Sequence, residues 1–199
     1  MRFHKFISTI LHPIVIPTLG VMLYFLLIPI NLSSDKKFSI LSLIFISSYL
    51  IPLLVLVLLK KFKFIKNFQT ESIKERKLPV ALMIFLFYFL GNTMNNIPSL
   101  RDLSLLFYAT SIGLIIIYIL FFFKIKASIH LLSLSIPTGF FLVLSTNYSQ
   151  SYILVIIILI ILSGILASAR LHLKAHNRTE VYIGFFLGLI TPIVLNYIL

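Results

Sequence analysis

Long apolar stretches with almost no charge run through the whole chain, separated by short polar segments. Of the 199 residues, 60% are hydrophobic and 11% are charged. Soluble domains carry about 25% charged residues, so this chain lacks the polar surface that a soluble fold needs. The pattern excludes a soluble enzyme or a disordered chain. It predicts an all-α fold, a polytopic transmembrane helical bundle forming one integral membrane domain over residues 1–199.

A membrane-spanning helix needs roughly 17–25 mostly apolar residues. Seven segments meet or approach this length, which predicts six to seven membrane-spanning helices. The segments are Ile7–Ile30, Phe38–Leu59, Leu78–Met94, Leu103–Phe123, Ala127–Ser145, Tyr152–Ala169 and Val181–Leu199. Prolines inside them are interpreted as kinks.

The positive charge is concentrated at one end of the predicted spans. With seven spans, fourteen of the 17 Lys and Arg residues fall on the face that carries the N-terminus and the segments 60–77, 124–126 and 170–180. The other face holds Lys36, Lys37 and Arg101. A net charge of +12 in a soluble protein would suggest nucleic-acid binding, but here it is typical of loops that flank membrane spans. The positive-inside rule predicts a multi-pass protein of the bacterial inner membrane with the basic face in the cytoplasm.

Several kinds of chemistry are disfavoured by missing residue types. The chain has no Cys, which excludes thiolate metal sites and cysteine nucleophiles. Its five carboxylates are scattered and form no paired-Asp motif, which argues against a phosphotransferase that depends on a divalent metal. We therefore predict no metal and no cofactor. The carboxylates are Asp35, Glu71, Glu75, Asp102 and Glu180.

One basic connection carries residues suited to phosphoryl transfer. His176 and Glu180 are four residues apart, so they can share a helical face, and a carboxylate there can fix the imidazole tautomer. The second ring nitrogen is then free to act as a nucleophile. Arg170, six residues before His176, offers a planar fork of donors for phosphate oxygens. This set would suit transfer through a phosphohistidine without a metal.

The same segment resembles the third signature of the type 2 phosphatidic acid phosphatase superfamily, the membrane lipid phosphatases related to haloperoxidases. That signature reads S-R-x(5)-H-x(3)-D. Here Ala169 replaces Ser, Arg170 and His176 match, and Glu180 replaces Asp.

The family's second signature, P-S-G-H at the start of a span, is matched in part. Ser128 and His130 keep the S-x-H spacing, while Ala127 and Ile129 replace Pro and Gly. The first signature, K-x(6)-R-P, fits loosely at Lys74 and Arg76. The resemblance places a phosphatase-like core at roughly 60–199.

The resemblance implies metal-independent hydrolysis or transfer of phosphate from a membrane lipid phosphate or diphosphate. His176 would attack phosphorus, Glu180 would orient it, and His130 would protonate the leaving oxygen. The phosphate oxygens would be held by Arg170, Arg76, Lys126, Ser128 and Lys74. The family's sites commonly face the periplasm or lumen, in conflict with the charge distribution. The lipid is left open among undecaprenyl diphosphate, phosphatidic acid, phosphatidylglycerol phosphate and a lipid A phosphate.

Two other hypotheses stay open at this point. A non-catalytic scaffold or assembly subunit of the same family would keep the bundle without a converging site. A transporter would need ionisable groups inside the spans, where His12 is the one clear candidate. A membrane-protein partner or a homo-oligomer is compatible with all three, and no nucleic-acid partner is expected.

Overall fold

A computed structural model describes residues 2–66, 68, 70 and 72–198, and within them every regular element is helical, which confirms the predicted fold class. Glu71 and Leu199, named above, lie outside the described residues. The α-helices in chain order are α1 (Arg2–Ile10), α2 (Ile16–Leu27), α3 (Ser34–Phe45), α4 (Ile51–Lys61), α5 (Ile73–Asn95), α6 (Arg101–Leu120), α7 (Ile129–Asn147), α8 (Ile153–His172) and α9 (Arg178–Asn196).

Six helical segments among the described residues are long and apolar enough to cross a membrane, so the chain is a multi-pass membrane protein. This is the lower figure of the predicted range. The segments are Ser34–Lys61, Ile73–Asn95, Pro98–Leu120, Ile129–Asn147, Ile153–His172 and Arg178–Asn196.

The first predicted span, Ile7–Ile30, is wrong as a single helix. The chain leaves the helix after Ile10 and re-enters it at Ile16, and α2 has only 12 residues. Pro13 lacks an N–H and disfavours helical backbone at the residue before it, so it ends α1. Pro17 lies in the first turn of α2, where proline is tolerated. Residues 11–15 therefore form a break between two short helices.

The segment Ser34–Lys61 is one continuous helix because a π-helical turn, Ile46–Leu50, joins α3 to α4. In this turn the N–H of Ile51 bonds to the carbonyl of Ile46, five residues earlier. Pro52 follows directly and has no N–H to offer, so the wider turn accommodates it without ending the helix.

Helix α7 lies at the centre of the bundle and packs closely against α9. Two glycines allow this, since a Cβ atom at Gly184 or Gly188 would collide with the backbone carbonyls of Ser128 and Leu132. Small residues at this spacing let membrane helices approach closely. The backbone N–H of Ser128 then donates to the carbonyl of Glu180 at 2.9 Å. The close packing brings the N-terminal ends of α7 and α9 together.

The two ends of the bundle differ in character. At one end Phe68 and Thr70 line the same cavity as Lys126 and residues 170–175, and α1 joins them through a hydrogen bond from Arg170 to Ser8. At the other end Asp102 accepts hydrogen bonds from the hydroxyls of Tyr24 and Tyr148. The basic segments thus share one face, as the number of intervening spans predicts.

Candidate functional site

His176 lies in the short connection between α8 and α9, directly before the Asn177 cap of α9. Its Nδ1 atom is 3.0 Å from Glu180 Oε2 and 3.0 Å from the carbonyl oxygen of Lys126. Both neighbours are acceptors, so Nδ1 must carry the proton and Nε2 is left with a lone pair. Nε2 is buried and has no hydrogen-bond partner among the described residues. The ring is therefore held in the tautomer that a nucleophile needs.

The electrostatics around His176 keep the ring neutral. Burial, followed by the positive charges of Arg76, Arg170 and Lys126, lowers the pKa of His176 to about 3. The hydrogen bond to the Lys126 carbonyl opposes this shift but does not overcome it. At neutral pH the imidazole is an uncharged base, with the Glu180 carboxylate on Nδ1 and three positive charges near it, and the Nε2 lone pair is not protonated.

Two arginines from different helices lie beside it. Arg170, in the last turn of α8, donates from Nη1 to the Ser8 hydroxyl at 2.8 Å, while its Nε is buried without a partner in the described part of the chain. Arg76, in the first turn of α5, is buried and donates from Nε to the Thr70 carbonyl at 2.8 Å. Each of these hydrogen bonds goes to an uncharged oxygen, so it positions the guanidinium without cancelling its positive charge.

His130 lies in the first turn of α7, two residues after Ser128, whose hydroxyl caps the helix. Its Nε2 atom is buried and unpartnered among the described residues. The ring is within electrostatic range of Arg170, Arg76 and His176. The cap of α7 and its close packing on α9 therefore bring His130 near the segment that carries Arg170 and His176.

A cavity of about 1370 Å³ opens among these residues. Its lining includes charged or ionisable nitrogen groups and, within the described residues, no carboxylate. A space with this balance attracts anions. The nitrogen-bearing residues that line it are Lys5, His12, Arg76, Lys126, His130, Arg170, His172 and Lys174.

The predicted site residues divide into those at the cavity and those away from it. Arg76, Lys126, His130 and Arg170 line it. His176, which is buried, and Glu180, which is partly exposed, are not among the lining residues, and His176 is linked to them through its contact with the Lys126 carbonyl. Two other predicted phosphate ligands do not line it. Ser128 is fully buried and its hydroxyl accepts from the Leu131 N–H as the α7 cap. Lys74 is exposed, because it lies two residues from Arg76 and so points to a different side of α5.

The sequence interpretation missed the contribution of the N-terminal segment. Lys5, Ser8 and His12 all line the cavity, and His12 lies with its ring centroid 5.1 Å from that of His130. The sequence did hold one signal, the pair His12-Pro13. A proline disfavours helical backbone at the residue before it, so this pair can end a helix and need not only bend it. Because the break interrupts the predicted first span, it brings His12 to the site.

Among the described residues no group of three or more His, Asp or Glu side chains is arranged to hold a metal ion. No family model matches this chain, and comparison with curated proteins and with solved structures found no match.

Proposed function

We propose that this protein is a metal-independent hydrolase or phosphotransferase that acts on a lipid-linked phosphate or diphosphate. Nε2 of His176 attacks phosphorus as the bond to the leaving oxygen breaks, and His130 protonates that oxygen. A water molecule, deprotonated by His130, then attacks the phosphohistidine and releases phosphate. Arg170, Arg76 and Lys126 stabilise the negative charge on the phosphoryl oxygens.

One observation carries this proposal. In the described part of the chain, three side-chain nitrogens are buried without a hydrogen-bond partner, and all three belong to the predicted site: His130 Nε2, Arg170 Nε and His176 Nε2. Leaving a buried polar group unpaired costs about 1–3 kcal/mol. His130 and Arg170 line the cavity, and His176 contacts the backbone carbonyl of Lys126, which also lines it. Three unpaired atoms so grouped support a site that is completed by a ligand, and phosphate oxygens would supply acceptors for Arg170 and His130.

The two other hypotheses fit these observations less well. A scaffold gives no reason for Arg76, His130 and Arg170 to converge on one cavity from three helices. The transporter hypothesis rested on His12 as an ionisable group inside a continuous span. His12 lies instead in the break at residues 11–15, against His130.

The test is phosphate release by purified protein in detergent with chelator, across the four candidate lipid phosphates. We expect His176→Ala to lower release by about 10³-fold or more, because a covalent step loses its nucleophile. Lys63→Ala, an exposed change between α4 and α5, serves as the control. Normal release by a folded His176→Ala protein would contradict the proposal.

We also propose that the basic face lies in the cytoplasm, supported by the fourteen-to-three distribution of Lys and Arg. Since the chain has no Cys, a single cysteine at Lys63 or Lys37 can be labelled selectively from outside intact cells. We expect labelling at position 37 and none at 63. The reverse pattern would place the site on the outer face.

A further inference from the structure

The cavity does not end at its basic residues but continues into the bundle. Below Arg76 its walls become apolar, and we name this part the apolar chamber, lined by Pro17, Val80, Met83, Phe87, Leu106 and Leu114. From Arg76 to Phe87 is eleven residues along α5, or about 16 Å. That is about half of the roughly 30 Å hydrocarbon core of a bilayer. Inorganic phosphate alone would leave this chamber empty.

The hydroxyl groups on the walls of the chamber are already engaged. Thr110 donates to the Leu106 carbonyl at 2.8 Å. Ser133 donates to the His130 carbonyl at 3.0 Å. Ser48 and Thr18 bond to each other at 3.1 Å, across the junction of the π-helical turn and α2. The bonds of Thr110 and Ser133 each use the hydroxyl proton that an ester carbonyl of a bound lipid would need, and the bond between Ser48 and Thr18 uses one of that pair's two hydroxyl protons.

We propose that the apolar chamber holds the hydrocarbon chain of the substrate, and that the substrate carries its phosphate directly on that chain, as an alkyl or isoprenoid phosphate does. This inference rests on the proposed function for the phosphate end. The phosphate lies among the basic residues, and the first carbons lie beside Val80 and Met83. A hydrocarbon chain has no polar groups, so it can move from the bilayer into an apolar cavity without forming any hydrogen bond. A diacylglycerol phosphate would instead bring two ester groups against walls whose Thr110 and Ser133 hydroxyl donors are already used.

Binding can be measured without turnover. The chain has no Trp, so Phe87→Trp introduces a single tryptophan at the floor of the chamber, which can be excited selectively at wavelengths that its tyrosines do not absorb. Phe89→Trp, two residues further on α5 and 63% exposed, is the matched control outside it. With dodecyl phosphate brominated at its chain end, present at low mole fraction in nanodiscs, we expect saturable quenching at position 87 and none at 89. Leu114→Trp offers a second reporter if Phe87→Trp does not fold.

Chain length provides the second measurement. Met83→Trp narrows the chamber, whereas Leu82→Trp adds the same ring to the exposed face at the same depth. We expect Met83→Trp to lower phosphate release from dodecyl phosphate by about tenfold or more while leaving butyl phosphate nearly unaffected. Leu82→Trp should change neither. Equal loss with both substrates would overturn the chamber as the chain site.

The outcomes separate the two proposals. Saturable quenching without phosphate release from any substrate would overturn the proposed function and support the chamber. Phosphate release without saturable quenching at positions 87 and 114 would overturn the chamber as the chain-binding site, while the proposed hydrolase function would stand. Phosphatidic acid hydrolysed as fast as dodecyl phosphate would overturn direct attachment of the phosphate to the chain.

Discussion

Glu180 caps α9 and holds His176 with the same oxygen atom. Its Oε2 accepts from the Asn177 N–H at 3.2 Å and lies 3.0 Å from His176 Nδ1. The cap fixes the carboxylate relative to the helix start, so the imidazole that it orients is fixed as well. A local feature of secondary structure thereby sets the direction of the proposed nucleophile.

The double role of Glu180 predicts that its charge matters more for turnover than for folding. Glu180→Gln keeps a side chain that can complete the capping box. It removes the negative charge that stabilises the positive charge developing on the His176 ring as Nε2 attacks phosphorus. We expect phosphate release to fall about 10²-fold or more, with little change in melting temperature. Glu75→Gln is the matched control, because Glu75 completes the same capping box with Ser72 on α5 and bonds to no histidine. Equal effects of the two changes on release would contradict the assigned role.

The lowered pKa of His176 predicts a specific pH dependence of stability. Unfolded, the ring binds a proton near pH 6.5, whereas in the folded protein the pKa of His176 is about 3. Between these values the unfolded state binds more protons, so the free energy of unfolding falls as the pH is lowered. We expect the wild type to lose stability relative to His176→Gln from pH 6.5 towards pH 3. Thermal unfolding of both proteins in detergent measures this, and parallel curves would contradict the shift.

The contact between α7 and α9 predicts that Gly184 cannot carry a side chain. A Cβ atom there would collide with the Ser128 backbone, so Gly184→Ala must separate the two helices and displace His130 from His176. We expect a loss of stability of about 1–3 kcal/mol together with reduced phosphate release. Gly164→Ala on α8 is the control, since nothing lies within 4 Å of its Cβ position. That change should be neutral or stabilise the helix by about 0.5–1 kcal/mol.

The break between α1 and α2 predicts a role for His12 in binding phosphate. Nδ1 of His12 accepts from the Ile14 N–H at 3.4 Å, so in the neutral ring Nε2 carries the proton and can donate to a phosphate oxygen. We expect His12→Ala to lower kcat/KM for phosphate release about tenfold or more. His4→Ala removes an imidazole from α1 that does not line the cavity and should leave release unchanged. Normal kinetics of the His12 variant would exclude it from the site.

Much of the helical architecture follows from local sequence patterns. Apolar runs of span length have no stable alternative in a membrane to a helix, because every backbone polar group must be paired within the segment. The caps at Ser128 and Asn177 were not predicted, although each is a residue type that is preferred at a helix start. The spacing of His176 and Glu180 predicted their contact, but its basis was wrong: His176 lies before the Asn177 cap and not on a shared helical face, and the contact is made through the carboxylate that completes the cap.

Residues far apart in the sequence required the tertiary structure. Apolar periodicity does not distinguish a helix face in contact with lipid from one buried in protein, so it could not reveal the apolar chamber or the central position of α7. The same apolar pattern joined α1 and α2 into one predicted span, so the place of His12 at the cavity was missed. Arg76, His130 and Arg170 come to one cavity from three helices, and the close approach of α9 to α7 at Gly184 and Gly188 sets the place of one of them, His130. Local sequence fixes where helices start and which groups they carry, while steric fit between helices decides which of those groups meet.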